Sequence, residues 1–159
     1  MADIEINVTG FKELQAALEK LGGDEARAIV REGLKAGAIA LQDAMMIGSS
    51  TLKGEAGAML RERSSWSKSV RMKGDLVGVT RVRPKGSLPE IHTGTGKGMQ
   101  GKGVRYRRSL AYLVKIAEFG GGHPADNWGR HFPMTSGYES NIGSILDRVI
   151  SVIKERLKI

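Results

Sequence analysis

The chain has 159 residues, a net charge of +8 and no cysteine, and this composition excludes several classes of protein. About 40% of the residues are apolar, which is enough to bury one core, so we predict a single domain over residues 1–159. The lack of cysteine excludes disulfides and thiolate metal sites and is typical of assembly in a reducing cytoplasm. No apolar run is long enough for a membrane span, and the acidic, polar start MADIEINVTG predicts no signal peptide.

The first third of the chain predicts a strand and two helices. Residues 4–8 alternate apolar and polar side chains, which is the period of a half-buried strand. Residues 11–21 carry apolar side chains three or four positions apart, which predicts a short helix. A longer helix is predicted over residues 25–47, with small residues at Ala26, Gly33, Ala36, Gly37, Ala40 and Ala44. Because each interior glycine costs a helix about 1 kcal/mol, we expect close packing against another backbone, from the same subunit or a neighbour.

The middle of the chain predicts a hairpin between two loops. Residues 48–63 are polar and contain glycine, so we predict a loop there. Residues 66–82 alternate apolar and polar side chains on both sides of Lys73-Gly74-Asp75, which predicts two strands joined by a turn. A basic, glycine-rich segment follows, and few large apolar side chains are available there to offset the entropy of ordering it. We therefore predict a flexible loop over residues 84–107.

The last third predicts one short element and one long helix. Residues 110–116 fit either a short helix or a strand, and an irregular loop is predicted over residues 123–133. Ser136 and Glu139 have the spacing of a capping box, which predicts the start of a final amphipathic helix. The predicted fold is therefore α+β: a small, mainly antiparallel sheet with a hairpin, packed by a long central helix and a C-terminal helix, with two extended loops.

The positive charge is concentrated in one segment. Between residues 81 and 108, eight basic residues accompany a single acid, Glu90, and the rest of the chain is close to neutral. The basic residues are Arg81, Arg83, Lys85, Lys97, Lys102, Arg105, Arg107 and Arg108. Such a segment can face DNA phosphates or an acidic protein, or can be a solvated loop without a partner. Tyr106 is its only aromatic residue, so it lacks the stacking surfaces of single-strand binders.

No catalytic site, metal site or cofactor is predicted. The stretch at residues 94–98, GTGKG, lacks the Ser or Thr that follows the lysine in a P-loop. His123, Asp126 and His131 are irregularly spaced in a predicted loop, which favours exposed side chains over a zinc site. Glu118 has no evident acid–base partner, so we interpret it as orienting a turn by accepting backbone hydrogen bonds. We therefore predict a protein that is not an enzyme.

The order of these elements resembles a known family. The segments INVTGFKEL at residues 6–14, YLVKIAEFG at residues 112–120 and HFPM at residues 131–134 follow one another as in the tail-completion or head–tail joining proteins of long-tailed bacteriophages and prophages. The resemblance extends over residues 4–157. Its most specific pieces are the Glu118-Phe119-Gly120 turn and Phe132-Pro133 at the entry to the last helix.

The resemblance implies a structural protein of the virion neck, assembled in the cytoplasm of the bacterial host. It implies a ring of identical subunits, expected to be sixfold, around the DNA channel at the head–tail junction. The implied partners are a head-side connector or stopper ring and a tail-tube or terminator protein, with nonspecific contact to DNA in the channel and none with a membrane. Two alternatives stay open: a tail terminator ring that caps the tail tube, and a small nonspecific nucleic-acid-binding protein.

Overall fold

The computed structural model describes residues 3–7, 12–88, 91–92, 105–106, 109–119 and 133–159. The helices are α1 (Lys12–Leu21), α2 (Gly23–Gly48), α3 (Gly54–Leu60), α4 (Leu110–Phe119) and α5 (Pro133–Leu157). The strands are β1 (Asp3–Asn7), β2 (Trp66–Met72), β3 (Val77–Pro84), β4 (Ile91–His92) and β5 (Arg105–Tyr106). This mixture of helix and sheet, with α2 packed on α5, confirms the predicted α+β fold class.

The first three strands form one antiparallel sheet in the order β1-β3-β2. β2 and β3 are joined by the turn at residues 73–76, so the hairpin predicted over residues 66–82 is confirmed. β1 pairs with the other side of β3, from Asp3 opposite Arg81 to Asn7 opposite Val77, which confirms the predicted N-terminal strand. β2 and β1 are therefore the two edges of the sheet.

α2 lies between this sheet and α5, and its apolar side chains form the centre of the core. On the sheet side, Leu34 packs so tightly on β3 that a Cβ added at Gly78 would lie 2.4 Å from Leu34 Cδ1. The hydroxyl of Thr80 donates a hydrogen bond to the carbonyl oxygen of Leu34, 3.3 Å away. The largest side chains that α2 buries are Val30, Leu34, Leu41, Gln42 and Met45.

The small residues of α2 meet α5 of the same subunit. A Cβ added at Gly33 would lie 3.2 Å from the carbonyl oxygen of Val149 and 2.6 Å from Ile153 Cγ1. Nearer the other end of α2, Ala44 lies against Gly137 of α5. Since residue numbers fall along α5 as they rise along α2, the two helices run antiparallel. The close backbone approach predicted from the small residues of α2 is therefore satisfied within the subunit.

The loop prediction for residues 48–63 is wrong. This part of the chain forms the 3₁₀ turns Ser49–Thr51 and Arg63–Ser65 on either side of α3. Leu52, Ala56 and Leu60 are buried in the core, and the indole N–H of Trp66 donates to the carbonyl oxygen of Leu60 over 2.8 Å. A helix of two turns offers too few apolar positions for its period to be read, and packing stabilises it instead.

The structure also decides the elements of the C-terminal half. Residues 110–116, which fit a helix or a strand, belong to helix α4. The start predicted for the last helix at Ser136 is wrong, because α5 begins at Pro133. Ile145, Val149 and Ile153 of its predicted apolar face are buried, whereas Ile142, also predicted on that face, is 39% exposed. Apart from Pro133, the second predicted loop lies outside the described residues.

Part of the segment predicted as a loop, residues 84–107, forms β-pairing between its two ends. Leu88 is buried, and Ser87 forms an isolated bridge with Ser109 just before α4. Beyond it β4 and β5 pair antiparallel, with Ile91 opposite Tyr106. Residues 93–104 lie outside the described residues, so the predicted flexibility stays a prediction.

Candidate interaction surfaces

The predicted basic residues fall on several elements. Arg81 lies on β3, within the predicted hairpin; Arg83 lies on the same strand, one residue beyond the predicted hairpin, and Lys85 follows the strand. All three side chains are exposed. Arg105 belongs to the short strand β5. The other four, Lys97, Lys102, Arg107 and Arg108, lie outside the described residues.

Arg81 and Arg83 lie on the face of the sheet that points away from α2. Thr80 and Val82, which alternate with them along β3, are buried, and Thr80 bonds to α2, so the two arginines face the other way. In the register of the hairpin, Ser69 is opposite Arg81 and Ser67 is opposite Arg83. This face is therefore a polar, basic strip across two strands.

Glu118 is a buried carboxylate that connects α4 to α5. It is 6% exposed, and its oxygens accept the backbone N–H of Met134 at 2.8 Å and of Thr135 at 3.0 Å, together with the Thr135 hydroxyl. The first N–H groups of a helix have no partner within the helix, and a negative charge is favoured at that end. Glu118 thus accepts backbone hydrogen bonds, as predicted, but from α5 rather than from the turn after Phe119.

The other residues of the resemblance motifs lie near this connection. Phe119 is the last residue of α4 and is 59% exposed. Pro133 opens α5, where proline is suited because its missing N–H would have no helical partner. Gly120 and Phe132 lie outside the described residues. The carboxylate of Glu118 therefore connects the two motif pieces across residues 120–132.

An apolar groove of about 890 Å³ opens beside Glu118, between the end of β3, α4 and the first turns of α5. It is lined by Val82, Arg83, Pro84, Ala111, Tyr112, Val114, Lys115, Glu118, Phe119, Met134, Thr135 and Tyr138. The sequence did not predict it, because its walls come from three separate segments. Residues 120–132 join two of these walls, and nothing among the described residues shows what covers the groove.

A second basic surface, also missed from the sequence, lies along α2 and β2. Arg27, Arg31 and Lys35 recur every four residues on α2 and are exposed, so they form one stripe along the helix. Lys68 and Arg71 come from β2 and line the same surface. The helical spacing was visible in the sequence, but only the packing of β2 beside α2 brings the two groups together.

The described residues contain no group of three or more His, Asp or Glu side chains that could hold a metal ion. The loop residues considered for zinc, His123, Asp126 and His131, lie outside them. None of the described helices is both long and apolar enough to cross a membrane.

Comparison with protein-family models, with curated proteins and with solved structures gives no match for this chain. The resemblance to phage neck proteins therefore stays a prediction drawn from the residues quoted for it.

Proposed function

We propose that this chain is a structural subunit of the neck of a long-tailed phage or prophage. In this proposal identical subunits form a ring, expected to be sixfold, around the DNA channel at the head–tail junction. The chain joins a head-side connector or stopper ring to the tail tube or its terminator, and it has neither catalytic activity nor a cofactor.

The observation that carries the proposal is the connection made by Glu118. The resemblance depends most on two short motifs that are more than ten residues apart, and each is weak alone. In the fold, Glu118 of the first motif accepts hydrogen bonds from Met134 and Thr135, directly after Pro133 of the second. Two motifs that form one structural unit support the resemblance better than two unrelated short matches would.

Electron microscopy of the particles tests the proposal. We expect particles made by the encoding phage or prophage to contain the chain in a closed ring between head and tail. Deletion of the gene should leave heads and tails that do not join, and supplying the wild-type chain should restore joining. Mature particles that lack the chain, with joining unaffected by the deletion, would contradict the proposal.

The same deletion separates the neck subunit from a tail terminator. A ring that caps the tail tube stops its growth, so loss of a terminator should give tubes of irregular length. Loss of a joining protein should give tubes of normal length that carry no head. Tube lengths measured in the deletion lysate therefore show whether the ring joins the tail to the head or terminates the tail tube.

The basic strip on β3 favours nonspecific DNA binding as a second candidate function. Arg83 and Lys85 are exposed, and Arg83 lies on the open face of the sheet. If they bind phosphates, the double variant Arg83→Glu, Lys85→Glu should bind duplex DNA more weakly. The slope of log affinity against log salt concentration should also be shallower, by about 0.9 for each phosphate that the variant no longer neutralises. Fluorescence anisotropy over a salt series measures this.

The matched control for this test is Lys53→Glu, Lys154→Glu, which changes charge equally at exposed positions away from β3. It should lower affinity less and leave the slope closer to that of the wild type. Equal slopes for the two double variants would show that β3 does not form the DNA contact.

A further inference from the structure

Along its outer edge, β2 presents backbone groups that have no partner among the described residues. Two hydrogen bonds lie just beyond the ends of the β2–β3 ladder. At one end the N–H of Lys85 donates to the carbonyl oxygen of Ser65, and at the other the N–H of Lys73 donates to the carbonyl oxygen of Val77, each over 2.8 Å. In an antiparallel pair, hydrogen-bonded positions alternate, so the odd-numbered residues of β2 bond to β3. The N–H and C=O of Lys68 and Val70 therefore point away from β3, where the described residues place no further strand.

A groove runs along this edge between β2 and α2. It consists of two adjoining cavities of about 430 and 350 Å³, which share Arg31 and Val70 in their walls. We call it the α2–β2 groove; besides those two residues its walls include Arg27, Lys35, Ala38, Ile39, Lys68, Ser69, Arg71 and Met72. From Lys68 to Met72 its β2 wall is about 16 Å long at a strand's usual rise, which is the length of a short added strand.

The walls of the α2–β2 groove are strongly basic. Four cationic side chains face the groove, those of Arg27, Arg31, Lys35 and Lys68. Arg71 also lines it but belongs to the other face of β2, opposite Val79, and Asp24 is the only acid among the lining residues. Two other acids of α2 are engaged elsewhere: Glu32 pairs with Arg156, and Asp43 pairs with Arg63, each at 2.7 Å. The excess positive charge of the groove is therefore not neutralised by these acids of its own helix.

The groove also offers apolar contacts and a fixed cation. Val70 is half-buried in its wall, and Ile39 is 41% exposed although it is a large apolar side chain. The Lys68 ammonium donates to Gln42 Oε1 over 3.1 Å, which holds it beside the strand edge. A ligand of this groove should therefore combine backbone hydrogen-bonding groups, negative charge and some apolar surface.

We infer that the α2–β2 groove binds an extended acidic segment of a partner protein as a fourth strand beside β2. Its backbone bonds to the N–H and C=O of Lys68 and Val70, and its acidic side chains meet the cations of α2 and β2. The apolar side chains of the segment pack on Val70 and Ile39. This binding does not depend on whether the chain forms a ring in the phage neck.

Other occupants fit the groove less well. Pairing of two copies through β2 would bring the cations of one strand close to those of the other, and like charges across a strand pair are destabilising. A DNA duplex would contact the cations but would leave the free backbone groups of β2 and the Ile39 side chain unused. Lysine on an edge strand can also serve to prevent aggregation without binding any ligand. That explanation does not apply to Arg27, Arg31 and Lys35, because they lie on a helix.

A peptide-binding experiment with the full chain tests the inference. The probe is a fluorescent ten-residue peptide in which glutamate alternates with valine, so that it carries both negative charge and apolar side chains, and fluorescence anisotropy measures its Kd. We expect the variant Arg31→Glu, Lys35→Glu to bind it at least about tenfold more weakly, because charge pairs contribute to binding at this scale. The matched variant Lys53→Glu, Lys154→Glu should stay within about threefold of the wild type, since its charges lie outside the groove.

Two control peptides separate strand addition from simple charge attraction. A peptide with lysine in place of glutamate should not bind. In the second control, the glutamate peptide carries N-methyl groups at every second residue, which removes one row of backbone donors. If main-chain pairing supplies the affinity, this peptide should bind at least about tenfold more weakly than the unmethylated one. Amide exchange adds a position-specific measurement: the peptide should protect the N–H of Lys68 and Val70, whereas those of Ser67, Ser69 and Arg71 are already protected by β3.

Four results would overturn the inference. The first is that the glutamate peptide does not bind at about 1 mM, the weak end of specific association, and the second is that the N-methylated peptide binds equally well. The third is that duplex DNA protects the amides of the groove from exchange while the peptide does not. The fourth is that the chain self-associates, loses this association in the Arg31→Glu, Lys35→Glu variant, and does not bind the peptide. Thermal melts of all variants identify any that fail to fold, and Arg27→Glu then provides a second groove variant.

Discussion

Replacing Glu118 with alanine should lower the free energy of unfolding by about 3 kcal/mol. The change leaves the N–H groups of Met134 and Thr135 without their acceptor at the start of α5, and the bond to Met134 is buried. A buried donor without a partner costs about 1–3 kcal/mol, and bonds to a charged acceptor are at the upper end of that range. For a chain of this size the expected fall in Tm is about 6–12 °C, measured by thermal melting and checked by urea titration.

Glu139→Ala is the matched control for this variant. Glu139 is exposed on α5 and belongs to the capping box predicted from sequence, but the helix begins before that motif. Its replacement should change stability by less than about 0.5 kcal/mol. Glu118→Gln, which keeps one acceptor oxygen, should fall between the two. If Glu139→Ala destabilised the protein as much as Glu118→Ala, the capping of α5 from α4 would be wrong.

Replacing Gly137 with alanine should lower the free energy of unfolding by about 2 kcal/mol. A Cβ at this position would lie 2.5 Å from the carbonyl oxygen of Ala44 and 3.1 Å from its carbonyl carbon. These atoms belong to the backbone of α2, so the clash cannot be relieved by a side-chain rotation. Overpacking costs about 1–3 kcal/mol, and the upper end applies here; the better helix propensity of alanine returns about 1 kcal/mol.

Gly143→Ala, on the same helix, isolates the packing term. A Cβ at Gly143 meets no atom within 4 Å, so only the helix propensity changes. This variant should be more stable than the wild type by about 1 kcal/mol, and the two variants should differ by about 3 kcal/mol in urea unfolding. Equal stabilities would show that α2 and α5 do not approach each other this closely.

Several elements could be predicted from side-chain patterns that are local and extend over enough residues to be recognised. The alternation in β1 and in the hairpin, and the apolar spacing of α1, α2 and α5, predicted these elements correctly because each pattern repeats with the period of its element over several residues. The small residues of α2 likewise predicted a close backbone contact, which Gly33 makes with Val149 of α5 and Ala44 makes with Gly137 of α5. A repeated side-chain pattern records which face an element buries, but it does not record what covers that face.

Other features depend on contacts between residues that are distant in the sequence, so no local pattern predicted them. α3 is a helix because Leu52, Ala56 and Leu60 pack into the core, although its two turns are too short for a readable period. α5 begins at Pro133 because a carboxylate from α4 accepts its first N–H groups.

The α2–β2 groove likewise exists because the hairpin places Lys68 and Arg71 beside the stripe on α2. Counted along the chain, the positive charge is concentrated at residues 81–108, whereas the groove collects its cations from two separate segments. Hydrogen bonds, packing and charge act through space, so contacts between separate segments are fixed only when the chain is folded.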